Sequence, residues 1–199
     1  MKLYYSSTSP YVRKVRIAAI EKGVADRIEL VVANPWPDPA AVVGVNPLGK
    51  VPVLIGADGL VVYDSPVICE YLDSLAHSPR LIPAAGAERW RVLCTQALAD
   101  GILDAAVSIV LERRRPEAER STLSQKRATE AIRRGVQALG AGVGTPDKAP
   151  DLGAIATGVA LGYLEFRLPE VDFLAGHAAL REWWMTLAAR PSFVATVPA

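Results

Sequence analysis

The spacing of apolar residues changes often in the first 80 residues and then stays helical for the rest of the chain. Residues 2–5 predict a short strand, and residues 10–22 predict a helix. One side of this helix is apolar, and the other carries Arg13, Lys14 and Arg16. The chain therefore begins with a strand that leads into a helix with a basic face.

Further strand patterns follow. Residues 28–33, IELVVA, form a continuous apolar run that is typical of a buried strand. The β-branched runs at 51–55 and 60–63 are joined through Ala-Asp-Gly at 57–59, which predicts a hairpin, and a helix follows at 65–75. A strand, a crossover helix and a second strand imply a parallel pair. We therefore predict a thioredoxin-like α/β domain of βαβ-ββα order.

The second half of the chain predicts a different architecture. Residues 78–86 contain the proline and glycine that are typical of an interdomain linker. The helical patterns beyond it cover 87–115, 121–140, 152–166 and 178–189. We therefore predict a thioredoxin-like domain at 1–77, a linker at 78–86 and an all-helical bundle at 87–199.

The composition narrows the class of protein. The 199 residues carry a formal net charge of +1, which gives no overall attraction to nucleic acid or to an acidic membrane surface. No apolar run approaches the roughly 20 residues of a membrane span, and no signal-peptide pattern follows Met1. Cys69 and Cys94 lack metal-ligand spacing and are expected to be small buried thiols. We predict a cytoplasmic protein without a metal, nucleic acid or membrane partner.

Two Ser-Pro pairs, Ser9-Pro10 and Ser65-Pro66, begin the two helices of the first domain. Serine is a preferred N-cap and proline suits the first helical position, so both pairs are interpretable as helix starts alone. Their position adds a functional interpretation, because ligands of α/β layers lie beyond the carboxyl ends of the strands. A helix N-terminus there offers unpaired N–H groups and a positive dipole end to an anion.

Between the two pairs lies NPLGKVPVL, residues 46–54. Pro52 begins a strand, and a cis bond before it would turn the backbone of Val51 toward an extended peptide ligand. Lys50 is interpretable either as a point charge for a terminal carboxylate or as a solvated lysine.

Asp64 and Ser65 complete this inventory. A carboxylate at Asp64 accepts from an ammonium group, and the Ser65 hydroxyl with the N–H groups behind it suits an α-carboxylate. A ligand with an amino-acid head, a central thiol and a carboxylate tail fits all of these groups. Glutathione has that chemistry.

The sequence resembles the glutathione S-transferases over essentially its whole length. The residues that carry the resemblance form three blocks, which are Ser9-Pro10 with Val12-Arg13, then residues 46–54, then Asp64-Ser65-Pro66 with Ile68 and Glu70-Tyr71-Leu72. At residues 8–14 and 97–105 the chain is most similar to bacterial members of the YibF-like type. The resemblance implies the glutathione S-transferase fold, with glutathione as co-substrate and no metal.

In this family the serine of the first block donates a hydrogen bond to the glutathione sulfur, and Ser9 fits that place. A hydroxyl donor and a helix N-terminus both favour the thiolate over the thiol. Ser9 is therefore the expected catalytic residue, with Thr8 as the alternative donor. Redox-active relatives have a cysteine where Ser9 stands, so disulfide exchange is not expected here.

The resemblance also assigns the glutathione-binding residues. The backbone of Val51, held by cis Pro52, is expected to pair with the cysteine of glutathione, and Lys50 to reach its glycine carboxylate. Asp64 and Ser65 are expected to hold the γ-glutamyl head.

Residues outside the three blocks complete the expected site. Tyr11, Trp36 and Asp104 are candidates for the pocket of an apolar electrophile. Many relatives are homodimers in which an acidic residue approaches the partner's site, and Asp100 is the candidate for that contact. Surface or capping carboxylates are the alternative for Asp100 and Asp104.

Arg113, Arg114 and Arg115 end the first helix of the second domain, just before Pro116. We interpret them as complementing the helix dipole. An anion-binding patch is the alternative.

Two functions remain open from the sequence. The first is an enzyme of detoxification that conjugates the glutathione thiolate to small electrophiles. The second is a non-catalytic glutathione-binding or protein-interaction module on the same fold. Substitution of Ser9 distinguishes them, because only the enzyme needs its hydroxyl for turnover.

Overall fold

A computed structural model describes residues 1–36, 39–142 and 149–198. Residues 37–38, 143–148 and 199 lie outside the described residues. The strands are β1 (Lys2–Tyr5), β2 (Glu29–Val32), β3 (Val53–Ile55) and β4 (Val61–Val62). They form one sheet of order β2-β1-β3-β4. The pair β1–β2 is parallel, whereas β1–β3 and β3–β4 are antiparallel, so the predicted parallel pair and hairpin are confirmed.

The α-helices are α1 (Pro10–Glu21), α2 (Ala40–Val43), α3 (Ser65–Ser74), α4 (Ala87–Arg114), α5 (Thr122–Gly140), α6 (Leu152–Arg167), α7 (Ala178–Ala188) and α8 (Pro191–Val194). Single 3-10 turns occur at Ala25–Arg27 and Glu117–Glu119. All six long helices were expected within two residues of these bounds, and the short α2 and α8 were not. A small mixed sheet followed by a helical domain is the architecture that the sequence resemblance implies.

Local chemistry fixes where the helices begin. Asp151 caps α6 by accepting from the backbone N–H of Ala154 at 2.8 Å, and Ser121 caps α5 by accepting from that of Ser124 at 3.1 Å. Capping satisfies a donor that a helix start leaves without a partner. These two caps therefore support the helical domain from sequence-local contacts.

The strand β2 lies at an edge of the sheet, so its expected burial is wrong. Among the described residues its one neighbour in the sheet is β1, and its side chains Leu30 and Val32 are 43% and 73% exposed. An apolar run alone does not show whether a layer covers both faces of a strand. Here the run reflects strand propensity rather than burial.

The basic face of α1 points into the molecule. The helix lies against α3, α6 and α8, and Arg13 and Lys14 are 7% and 0% exposed. Arg13 donates to the carbonyl oxygen of Phe193 at 3.3 Å, while Lys14 forms an ion pair with Asp100 of α4 at 2.7 Å. The basic side chains thus join the first domain to the helical one.

A buried ion pair holds the start of the linker. The Lys22 ammonium lies 2.9 Å from the Asp73 carboxylate and donates to the carbonyl oxygens of Ala76 and Pro79. Asp73 in turn accepts from the backbone N–H groups of Leu81 and Ile82. The boundaries of the two domains stay a prediction.

Helix α4 is long and apolar enough, by length and composition alone, to cross a membrane. The prediction that no run approaches that length is therefore wrong. In this fold α4 packs against α5 and α6 and buries Val92, Ala99 and Leu103 completely, which is the environment of a core helix in a globular domain.

Candidate functional site

The strand register brings three chain segments to one edge of the sheet. The pairs Tyr4–Val53 and Leu54–Val62 place the end of β1, the start of β3 and the end of β4 side by side. Ser9 follows β1, Val51 precedes β3 and Asp64 follows β4. The three sequence blocks therefore meet at the same edge of the sheet.

Ser9 occupies the N-cap position of α1. Its hydroxyl oxygen accepts from the backbone N–H of Val12 at 3.3 Å, and Pro10 follows as the first helical residue. Among the described residues no group accepts the hydroxyl hydrogen of Ser9. A half-buried O–H donor and the positive end of a helix dipole therefore lie together, and both favour an anion.

Helix α3 begins at the predicted residue, but its N-cap lies one residue before the serine. Asp64 occupies the N-cap position, and Ser65 is the first helical residue. The carboxylate of Asp64 forms no capping hydrogen bond and is exposed, whereas Ser65 is only 2% exposed. Sequence reasoning placed the cap at Ser65, because serine before proline is the commoner start. The peptide bond between Tyr63 and Asp64 is cis.

The segment before β3 is shaped by Asn46, which the sequence analysis did not single out. Its side chain accepts from the N–H of Leu48 at 3.0 Å and donates to the carbonyl oxygen of Lys50 at 2.9 Å. An asparagine that bridges its own turn in this way is a recognisable turn signal. Asn46 is itself buried, so it fixes the loop that carries Lys50.

The peptide bond between Val51 and Pro52 is cis, and Pro52 is buried. The backbone amide and carbonyl of Val51 form no hydrogen bond with another described residue. The Lys50 side chain is exposed, and no described carboxylate lies within ion-pair distance of it. This edge therefore presents a cation and a pair of backbone groups to solvent.

Helix α1 contacts α4 twice. The Tyr11 hydroxyl donates to the Asp104 carboxylate in a short hydrogen bond. One turn further on, the Lys14 ammonium donates to both carboxylate oxygens of Asp100 at 2.7 Å. Burial, and then the Asp104 carboxylate, hold the pKa of Tyr11 far above its ordinary value, so Tyr11 is a neutral donor. Because Lys14 of the same chain engages Asp100, a cross-subunit role for Asp100 stays a prediction.

Beyond Tyr11 lies a group of side chains that sequence reasoning missed. Tyr163 of α6 is buried, and burial raises the pKa of its hydroxyl. The charge of Arg167, a hydrogen bond with the Arg167 side chain and the charge of Arg114 oppose that rise. Tyr163 also acts on the pKa of Tyr11. In the sequence, the four-residue spacing of Tyr163 and Arg167 is the one signal that they share a helix face. No sequence pattern predicted that Arg114 lies near them.

Trp36 is 61% exposed and lies under the guanidinium of Arg114, with 5.5 Å from ring centroid to carbon. Each of the three consecutive arginines has a different partner. Arg113 pairs with Glu170 and Arg115 pairs with Glu119, whereas Arg114 stacks on Trp36. The dipole interpretation thus omitted the specific partner of each side chain.

The two cysteines lie in opposite environments. Cys69 is fully buried, and burial raises the pKa of its thiol to about 12, so it is an unreactive core residue. Cys94 is exposed, contrary to the prediction. In the described part of the chain, no group of three or more His, Cys, Asp or Glu side chains is arranged to hold a metal ion.

Comparisons with known proteins identify the family of this chain. A family model for the glutathione S-transferase N-terminal domain matches residues 8–75. The chain is 37% identical over 201 residues to the uncharacterized GST-like protein YibF of Escherichia coli strain K12, across 100% of this chain and 98% of that protein.

Solved structures give the same result. A glutathione transferase family member from Pseudomonas fluorescens Pf-5, with bound glutathione, is 37% identical with a TM-score of 0.92, covering 100% of this chain and 98% of that one. A family member from the same species, with bound S-(propanoic acid)-glutathione, is also 37% identical, with a TM-score of 0.90 and full coverage of both chains. The chain therefore belongs to the glutathione S-transferase superfamily, within its bacterial YibF-like type.

Proposed function

We propose that this protein is a cytoplasmic glutathione transferase that conjugates the thiolate of glutathione to small electrophilic compounds, a reaction of detoxification. The observation that carries the proposal is the full-length likeness to a family member that holds glutathione. The second such structure holds S-(propanoic acid)-glutathione, which has the form of a conjugate. A site that accepts both thiol and thioether suits a transferase.

The edge of the sheet supplies a partner for each part of glutathione. The exposed carboxylate of Asp64 suits the ammonium of the γ-glutamyl head, and Ser65 with the start of α3 suits its carboxylate. The free backbone groups of Val51, beside Pro52, suit the cysteine backbone as an added strand would. The Lys50 ammonium suits the glycine carboxylate.

Ser9 is the proposed catalytic residue, as a stabiliser of charge rather than a nucleophile. Its hydroxyl donates to the glutathione sulfur, and the thiol proton passes to water. A sulfur lone pair then forms the new S–C bond. Either a halide leaves with the bonding electrons of its C–X bond, or an activated double bond shifts its π pair onto a carbon that takes a proton from water.

The test is a set of substitutions at the first block. Ser9→Ala should lower kcat/KM with an activated aryl chloride about a hundredfold, as loss of one charge-stabilising donor does. Glutathione affinity, measured by calorimetry, should change less than about tenfold. Ser9→Gly, which retains most of the capping energy, controls for folding, and Thr8→Ala tests the alternative donor.

Unchanged turnover in Ser9→Ala would exclude Ser9 as the donor. A wild-type protein that binds glutathione but turns over no electrophile would instead support the non-catalytic glutathione-binding or protein-interaction module.

We also propose that the protein is a homodimer. The side chains of Val61, Val67 and Trp90 are apolar yet 40%, 51% and 65% exposed. Val67 lies on α3 and Trp90 on α4, and the ion pair between Glu70 and Arg89 holds those two helices together. Light scattering on the eluted protein should give twice the mass of the 21.3 kDa chain, and Trp90→Lys should give the single mass.

A further inference from the structure

The arginines that end α4 and α6, Arg114 and Arg167, have no acidic partner among the described residues. In the described part of the chain, Arg114 and Arg167 are absent from every ion pair, whereas Arg113 and Arg115 each have one with a glutamate. An arginine stays charged at any physiological pH. The positive charges of Arg114 and Arg167 are therefore paired with no described carboxylate.

Arg167 is the more confined of the two. Its Nε atom is buried and has no hydrogen-bond partner among the described residues, and its guanidinium lies 4.3 Å from the ring centroid of Phe166. A buried donor without a partner costs free energy, and such groups are rare in folded proteins. A ligand that supplies an acceptor would remove that cost.

Arg114 lies at the same edge of the sheet as Ser9. Because β1 and β2 are parallel, Ser9 after β1 and Trp36 after β2 leave the sheet at that edge, and Arg114 lies over Trp36. The ion pair between Arg113 and Glu170 brings the ends of α4 and α6 together, and Arg167 is the last residue of α6.

The charges of Arg167 and Arg114 both act on the hydroxyl of Tyr163, and Tyr163 acts on the hydroxyl of Tyr11. Tyr11 lies two residues after Ser9. On α4, the Asp104 carboxylate already accepts from Tyr11, and the Glu112 carboxylate accepts from the backbone N–H of Ser121.

We propose that the electrophile of this enzyme carries a carboxylate, which Arg114 and Arg167 bind while its reactive carbon faces the thiolate at Ser9. The inference rests on the proposed conjugation and names the substrate class of that site. A guanidinium donates two parallel hydrogen bonds to a carboxylate, and such charged pairs are about twice as strong as neutral ones. Trp36 beneath Arg114 offers an apolar surface for the chain between carboxylate and reactive carbon.

The experiment compares two glutathione thioethers that need no turnover and differ at one end group, a carboxylate in one and a methyl in the other. S-(2-carboxyethyl)glutathione and S-propylglutathione are titrated by calorimetry into wild type, Arg114→Gln, Arg167→Gln and Arg115→Gln. Wild type should prefer the carboxylate ligand by about tenfold or more, the gain of a hydrogen bond to a charged group. Arg114→Gln and Arg167→Gln should each lose most of that preference, with S-propylglutathione binding unchanged. The control Arg115→Gln should retain it.

Equal affinity of wild type for the two ligands would overturn the inference, as would an equal loss of both ligands in the arginine variants. The proposed function is scored separately, from conjugation of glutathione to a neutral aryl chloride. Turnover of that neutral substrate without carboxylate preference removes only the substrate class. A preference for the carboxylate ligand without any turnover would contradict the proposed conjugation but would still support the carboxylate-binding site.

Discussion

The two contacts between α1 and α4 use the same acidic residue type in different environments. Asp100 and Asp104 are four residues apart on α4, and their partners Lys14 and Tyr11 are three apart on α1. The Lys14 side chain has no exposed surface and Asp100 keeps 17%. Asp104 is exposed, and Tyr11 is half-buried. The two contacts therefore differ in burial. The buried Lys14–Asp100 pair holds the two domains together, whereas the more exposed Tyr11–Asp104 contact borders the site.

The inner contact should dominate stability. A buried charge is costly when its partner is removed, and Lys14 has only Asp100 as its acidic partner among the described residues. Gln96 adds one hydrogen bond to the same carboxylate at 3.4 Å. The outer contact exchanges hydrogen bonds with water and so contributes little net free energy.

The largest expected effect is therefore on Asp100. Asp100→Asn leaves the Lys14 ammonium buried without a counter-charge and should lower the free energy of unfolding by about 3–5 kcal/mol. Denaturant unfolding measures this change. The matched control is Lys14→Met with Asp100→Leu, which removes both charges and should recover most of the loss. A loss below about 1 kcal/mol in Asp100→Asn would show that the pair does not hold the interface.

Cys69 offers a chemical probe of the same contact. Its thiol is buried, with a pKa raised to about 12, so a thiol reagent at neutral pH should label Cys94 alone in the native protein. Mass spectrometry of the labelled protein reads the site. In Asp100→Asn, Cys69 should become reactive as the interface opens more often. Rapid labelling of Cys69 in the wild type would contradict the packing.

Tyr11→Phe breaks the outer contact and should cost about 1 kcal/mol of stability or less. Its effect should appear in catalysis, as a three- to tenfold fall in kcat/KM for the electrophile with an unchanged KM for glutathione. Steady-state kinetics with each substrate varied in turn separate the two. Asp104→Asn, which keeps an acceptor for the tyrosine, is the control and should be closer to wild type.

The smallest effect is on the pH dependence of stability. The pKa of Tyr11 is raised in the folded protein, mainly by burial and then by Asp104, so above the unfolded value of about 10 the unfolded chain loses a proton that the folded one keeps. The stability contributed by this group is present below about pH 10 and is lost above it. Wild type should therefore lose stability more steeply than Tyr11→Phe as the pH rises past 10. Parallel curves would contradict the assigned environment.

Much of the fold could be predicted from local sequence patterns. The hairpin around Asp58 and the long helices follow from turn chemistry and apolar spacing, which act over a few residues. The three blocks around Ser9, Val51 and Asp64 were recognisable because their spacing is specific to one superfamily.

What the sequence did not show depends on contacts between distant residues. The burial of Lys14 requires Asp100, 86 residues away, and the exposure of Val32 depends on which faces of the sheet other elements cover. The grouping of Arg114 with Arg167 depends on how α4 and α6 pack. Amphipathic spacing within one helix contains none of this information.

The central claim is that Ser9 and the start of α1 stabilise the thiolate of bound glutathione. The most direct test is a pH titration of thiolate ultraviolet absorbance in the glutathione complex, for wild type and Ser9→Ala. A free thiol has a pKa of about 8.5. The account predicts a bound thiol pKa clearly below that value in wild type, and one that moves back toward it in Ser9→Ala. The same bound thiol pKa in both proteins would contradict the assigned role of Ser9.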